Sequence, residues 1–98
     1  MRKDIVIDGK ITNYEVSDDG KIFNKKTGRE LKGTYKTNEY HTVMLMIDGQ
    51  SKIFLVHRLI AQAFIDNPND YPIVDHINQN KYDNRIENLR WVDYSTNS

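Results

Sequence analysis

The stretch IVDHINQNKYDNRIENLRWV, residues 73–92, decides how the rest of the chain is read. Two short apolar runs, IVDHI and LRWVD, bracket a polar segment, NQNKYDNRIEN, so the simplest structure is a pair of antiparallel strands joined by a long loop. Two features exceed what a plain hairpin needs. An acid and an imidazole, Asp75 and His76, stand side by side in the first strand. Four Asn residues, Asn78, Asn80, Asn84 and Asn88, follow before the second. Asn is a common turn residue, and Asn84 is read as one, with a place beside a metal site as the alternative. Asp75-His76 taken alone reads either as a strand-end ion pair or turn contact, or as half of a reactive site.

Working outward, HRLIAQAFI (57–65) spaces Leu59, Ile60, Ala63 and Phe64 as one helical face and contains neither Gly nor Pro. Both prolines lie in the DNPNDYP that follows, which ends the helix and marks a junction near residues 67–71. His57, at the helix start, is expected to pack or cap rather than to react. Upstream, YHTVMLMIDGQSKIFLVH gives two apolar strands around Asp48-Gly49, a strong hairpin signal. Thr42, Met44 and Met46 alternate there with Val43, Leu45 and Ile47, and two apolar faces predict a central strand. NYEVSDDGKIFN repeats the pattern, with strands at Tyr14–Val16 and Lys21–Phe23 around an Asp-Asp-Gly turn. KKTGRE adds a turn in which Gly28 can take positive φ. Ser95 is the expected N-cap of a final helix. Trp91 is expected in the core, with its N–H needing a partner. The predicted fold is α+β: an antiparallel β module with a short helix over residues 1–66, then the hairpin over 67–98, ending in a truncated helix. The chain holds no repeat and no low-complexity tract.

At 98 residues this is one domain's worth of chain. It has no run of about 18–20 apolar residues that would span a membrane, and MRKDIVIDGK lacks the apolar stretch of a secretory signal. With Cys 0 it forms no disulfide and no thiolate metal cage, which fits a reducing compartment. Any metal must be bound by His, Asp, Glu and Asn, a hard set suited to magnesium, manganese or calcium. The net charge of +0 argues mildly against nucleic acid, but its distribution softens that. Residues 1–60 carry eleven Lys+Arg against eight Asp+Glu, and residues 61–98 three against six. Within 21–36, Lys21, Lys25, Lys26, Arg29, Lys32 and Lys36 face a single acid, so the segment reads as a phosphate-gripping arm or as a solvated loop. Arg58 and Arg90 are open to the same two readings, phosphate contact or structure.

Hydrolysing a phosphodiester with one metal needs few parts. An imidazole must take a proton from water, and oxygen ligands must hold a hard cation against the phosphate. Asp75 offers a carboxylate, though adjacent strand residues point to opposite faces. These residues resemble the HNH homing endonucleases of phages and group I introns. The resemblance is carried by HRLIAQAFIDNP and VDHINQNKYDNRIENLRWVDYSTN, and YEVSDDGKI looks like the small β module that precedes that core. It covers roughly residues 11–98. It implies a ββα-metal fold and metal-dependent cleavage of double-stranded DNA, as a nick or a weakly specific cut. His76 would be the general base. Asp75 and Asn97 would hold Mg2+ or Mn2+, and Asn88 would brace the loop and orient the imidazole. It further implies the cytoplasm of a bacterial host. The sequence stops one residue after Asn97, where the family usually continues, so high sequence specificity is not expected. The rival reading is an inactive relative kept as a DNA-binding or protein-binding regulatory module.

Overall fold

A computed structural model of the chain describes residues 1–35 and 39–95. In chain order its elements are β1 (Arg2–Ile7), β2 (Lys10–Ser17), β3 (Ile22–Asn24), β4 (Glu30–Leu31), β5 (Thr42–Ile47), β6 (Gln50–Leu55), α1 (Val56–Phe64), β7 (Ile73–His76), a 3-10 turn (Ile86–Asn88) and β8 (Leu89–Val92). The class is α+β as expected, with antiparallel strands and a helix.

Turn chemistry sets the strand pairing. Asp8-Gly9 and Asp48-Gly49 each place two successive residues at positive φ (52° and 78°, 52° and 79°). The twist of such turns suits an antiparallel ribbon. β1 pairs with β2 around the first and β5 with β6 around the second. The first ribbon extends through β3 and β4 into a four-stranded sheet of order β1-β2-β3-β4. Strand β1 lies outside the expected elements, although VIDGK carries the same Asp-Gly signal.

One expectation is corrected here. β5 is half of a two-stranded ribbon, not a central strand. Val43, Leu45 and Ile47 are buried, while Met44 and Met46 are 58% and 53% exposed. Apolar residues on both faces reported composition rather than burial, because much of any folded surface is apolar.

Helix α1 closes the core. It buries Val56, His57, Leu59, Ile60 and Ala61 and touches β1, β2, β6, β7, β8 and the 3-10 turn. One apolar cluster therefore runs from Ile5, Val16 and Ile22 through Leu45 to Val74 and Leu89. After the helix, the Asn67 side chain bonds both the N–H and the carbonyl of Tyr71 at 2.9 Å and shapes the Pro-containing connection. Trp91 packs partly buried against the core and donates its indole N–H to the Ile65 carbonyl at 3.0 Å. Arg58 donates to the Pro72 carbonyl at 2.8 Å and lies 5.6 Å from the Trp91 ring centroid, which ties α1 to the last hairpin. In that hairpin Asp75 faces Arg90 and His76 faces Leu89. Ser95 lies in a turn and its hydroxyl donates to Asp93 at 2.9 Å. The helix expected after it falls on 96–98, outside the described residues. Among the described residues no helix is long and apolar enough to cross a membrane.

Candidate active site

Strand alternation separates the two groups that drew attention in the sequence. His76, the last residue of β7, turns inward with Val74 and is 5% exposed. Asp75 points the other way, with its side chain 25% exposed.

The His76 ring is fixed by a buried amide. Its Nε2 lies 2.8 Å from Asn84 Oδ1, and because an amide oxygen only accepts, Nε2 is the donor. Nδ1 makes no hydrogen bond to a described residue. His57 stands 4.9 Å away, centroid to centroid, and Tyr40 stacks at 5.8 Å from His76 and 4.7 Å from His57. Lys81 Nζ in turn sits 5.1 Å from the Tyr40 ring centroid. Burial, then the neighbouring His76 and Arg58, push the His57 imidazole down to about 4. His57 is therefore neutral near pH 7 and places no charge beside His76. Its Nδ1 is buried without a partner among the described residues.

Asn84 corrects a second expectation. It is not an exposed turn residue: it is 4% exposed and supplies the contact to the imidazole. Turn statistics describe the Asn backbone, whereas here the side chain is used as donor and acceptor at once. Its Nδ2 lies 3.4 Å from Nδ1 of His41, a residue 43 positions away.

The other three Asn residues lock the loop. Asn88 Nδ2 donates to Asn78 Oδ1 and to the Asp83 carbonyl, both at 2.9 Å, and its Oδ1 accepts the Asn78 N–H at 3.0 Å. Asn78 Oδ1 accepts the Asn80 N–H at 2.8 Å, and Asn80 Oδ1 accepts the Tyr82 N–H at 3.1 Å. Asp83 receives Asn78 Nδ2 at 2.9 Å and a two-pronged Arg85 at 2.7 Å. That guanidinium holds the Asp83 carboxyl well below the usual range. Asn88 was expected both to brace the loop and to orient the imidazole. Its side-chain bonds all go to the loop, and the imidazole's partner is Asn84.

Asp75 Oδ2 accepts Arg90 Nε at 2.9 Å. Among the described residues no cluster of three or more His, Cys, Asp or Glu could hold a metal. The donor type still fits a hard cation, since Asp75 is a partly exposed carboxylate that meets Arg90 through one of its two oxygens. The second expected ligand, Asn97, lies outside the described residues.

The basic residues are mostly engaged nearby. Lys21 faces Asp19 at 3.7 Å, Lys25 faces Asp4 at 2.8 Å, and Lys32 faces Glu30 at 3.3 Å. Lys26 and Arg29 are exposed and make no ion pair with a described residue, while Lys36 lies outside the described residues. Arg58 and Arg90 are held as given above. Tyr40 and His41 carry no local sequence mark, since each ring meets its partners only through the tertiary fold.

A β module, a helix and a hairpin that sets Asp beside His before an Asn-braced loop define an HNH nuclease core, and the chain belongs to that family. Residues 54–98 match the HNH endonuclease family and residues 2–46 the NUMOD4 motif. The chain is homologous to a phage homing endonuclease, the DNA endonuclease I-HmuI of Bacillus phage SP01. It is 38% identical to that protein over 85 residues, which is 87% of this chain and 49% of the relative. A solved structure of I-HmuI, described for DNA binding and cleavage, matches 99% of this chain and 55% of its own at 37% identity, with a TM-score of 0.86. The uncharacterized HNH endonuclease L245 of Acanthamoeba polyphaga mimivirus is 39% identical over 79 residues, 81% of this chain and 24% of that protein. The chain thus spans about half the length of I-HmuI and about a quarter of the mimivirus protein.

Proposed function

We propose that this chain carries the catalytic core of a metal-dependent DNA endonuclease that hydrolyses phosphodiester bonds in double-stranded DNA as a nick or a weakly specific cut. The observation that carries the reading is the buried bond from His76 Nε2 to Asn84, which leaves Nδ1 as the ring atom able to take a proton. In this reading residues 67–98 supply the reacting groups, and residues 1–66 supply the scaffold and the phosphate-gripping arm. His76 Nδ1 removes a proton from a water, whose oxygen attacks phosphorus as the bond to the leaving oxygen breaks. Asn84 holds the resulting imidazolium in place through Nε2, and Asn88 keeps the loop rigid. Asp75 and Asn97 would hold Mg2+ or Mn2+, which supplies charge neutralisation at the phosphate when bound. Lys26 and Arg29, exposed and without a described ion-pair partner, are the foremost candidates for backbone contacts, with Lys21, Lys25, Lys32, Lys36, Arg58 and Arg90 secondary. The phage and viral relatives support action in the cytoplasm of an infected host.

The test is supercoiled plasmid incubated with the protein and magnesium, manganese or EDTA. Relaxed or linear product is expected with either metal, none with EDTA, and none from His76→Ala. If His76→Ala cuts at the parent rate, the base is misassigned. A second reading, a non-catalytic DNA-binding module, is favoured by two observations: Arg90 holds Asp75, and His76 is almost fully buried. Salt-sensitive DNA binding by the folded protein, with no cleavage under either metal, would establish it.

A further inference from the structure

The segment carrying Asn84 is held from three directions by residues within the NUMOD4 match. The Ile86 N–H donates to the Asp18 carbonyl at 3.1 Å. Gly20, at φ +89°, approaches so closely that a Cβ there would lie 2.7 Å from the Asn84 carbonyl carbon and 2.8 Å from its oxygen. The third contact is His41, facing the Asn84 amide. His41 is itself firmly seated. Its Nε2 bonds the Lys32 carbonyl, Tyr35 stacks on it at 3.8 Å, and Tyr82 from the site loop meets Tyr35 edge-on at 5.2 Å. Gly33, at φ +68°, makes room, since a Cβ there would run into the Thr42 carbonyl oxygen and the His41 ring.

Donor and acceptor rules give this chain of contacts a direction. A carbonyl only accepts, so the Lys32 carbonyl requires the proton of His41 on Nε2 and leaves Nδ1 as a lone pair in the neutral ring. Burial favours that neutral ring. Nδ1 then accepts from Asn84 Nδ2, which turns Asn84 Oδ1 toward His76. That oxygen in turn requires the proton of His76 on Nε2. Flipping the amide would set its oxygen against the lone pair of His41.

We infer that His41 is a positioning residue for His76. Acting through Asn84, it fixes the His76 tautomer that leaves Nδ1 bare, so the NUMOD4 module forms part of the nuclease site. The inference rests on reading His76 as the base, yet its first test needs no cleavage. Histidine ring 15N NMR of the full chain at neutral pH should show both His41 and His76 as single Nε2–H tautomers. His41→Leu should give mixed tautomers at His76. It should also lower plasmid turnover by about 10- to 100-fold, the scale known for removing a group that orients a metal-ligating histidine, with DNA affinity unchanged. His41→Asn, whose Oδ1 can still accept from Asn84, should restore the single tautomer and most of the turnover. An Nδ1–H tautomer of His76 in the parent overturns the inference, as does an unaltered His76 tautomer in folded His41→Leu. A parent with the expected tautomers that cuts no plasmid would leave the relay standing and overturn the nuclease reading alone.

Discussion

Gly9, Gly20 and Gly49 form a built-in controlled comparison. All three adopt similar positive φ, 78°, 89° and 79°. Alanine at any of them incurs a comparable left-handed backbone penalty of about 1–2 kcal/mol. They differ in what the new Cβ would meet. Around Gly9 and Gly49 nothing lies within 4 Å, whereas at Gly20 the Asn84 backbone lies at 2.7 and 2.8 Å. Both partners there are backbone, so relief requires moving the loop, and overpacking of this kind adds about 1–3 kcal/mol. A domain of this size loses about 4–8 °C of Tm per kcal/mol. Gly20→Ala should therefore melt at least about 4 °C below Gly9→Ala and Gly49→Ala. The displaced residue is the one that holds His76, so a functional loss should accompany the structural one. The assay pairs circular-dichroism melts with plasmid cleavage at a temperature where all three variants are fully folded. Gly9→Ala and Gly49→Ala should cut at the parent rate, and Gly20→Ala about tenfold slower or worse. If Gly20→Ala melts and cuts together with Gly9→Ala, the close approach to Asn84 does not support the imidazole.

Three further outcomes are expected. His57 is lowered from 6.5 to about 4, so below pH 6.5 the unfolded chain binds a proton that the folded one refuses. Stability is then full above that pH and falls as pH drops toward about 4, by up to about 3 kcal/mol. Urea unfolding at pH 7 and pH 5 measures the fall, and His57→Phe should remove much of it. Changing Lys26 and Arg29 together to Ala should flatten the salt dependence of DNA binding by up to about 2 in log–log slope. Lys25→Ala should matter less, because Lys25 is already paired with Asp4. Arg90→Ala releases Asp75 from an ion pair whose guanidinium side is 57% exposed. Such pairs are worth about 0.2–1 kcal/mol, so magnesium affinity by calorimetry should rise by no more than about fivefold. A weaker affinity would make Arg90 a support of the metal site.

The elements legible in the sequence are those fixed by local chemistry. Asp48-Gly49 announces one ribbon, Pro68 and Pro72 end the helix, and Leu59 and Ile60 mark its buried face. The pairing of β7 with β8 follows from two apolar runs around a polar loop. What local pattern could not supply was burial. Met44 and Met46 look like core residues in composition yet lie outside it, and Asn84 looks like surface yet lies within. Strand β1 carries no alternation, three charged residues being followed by three apolar ones, so the Asp8-Gly9 turn after it is its one local mark. In the site, Asp75, His76 and Asn88 stand out by spacing and by resemblance, whereas His41 is invisible. Its role depends on a bend that brings residue 41 to residue 84, and no window of sequence contains both.

Helix α1 has a consequence for how such proteins can be recombined. The matched ranges end at residue 46 and resume at residue 54, a gap that looks like a linker suited to module exchange. In the fold that gap is the Asp48-Gly49 turn and most of β6, and the helix behind it packs against β1 and β2 as well as β7 and β8. The boundary drawn by sequence families is therefore not an energetic one. Heating should produce a single transition, with no stage at which one half melts and the other survives. A chimera that grafts residues 54–98 onto an unrelated DNA-reading module would inherit the hairpin with half of its hydrophobic support missing. Viable exchanges should cut the chain elsewhere, or carry Asp18, Gly20 and His41 along with the nuclease.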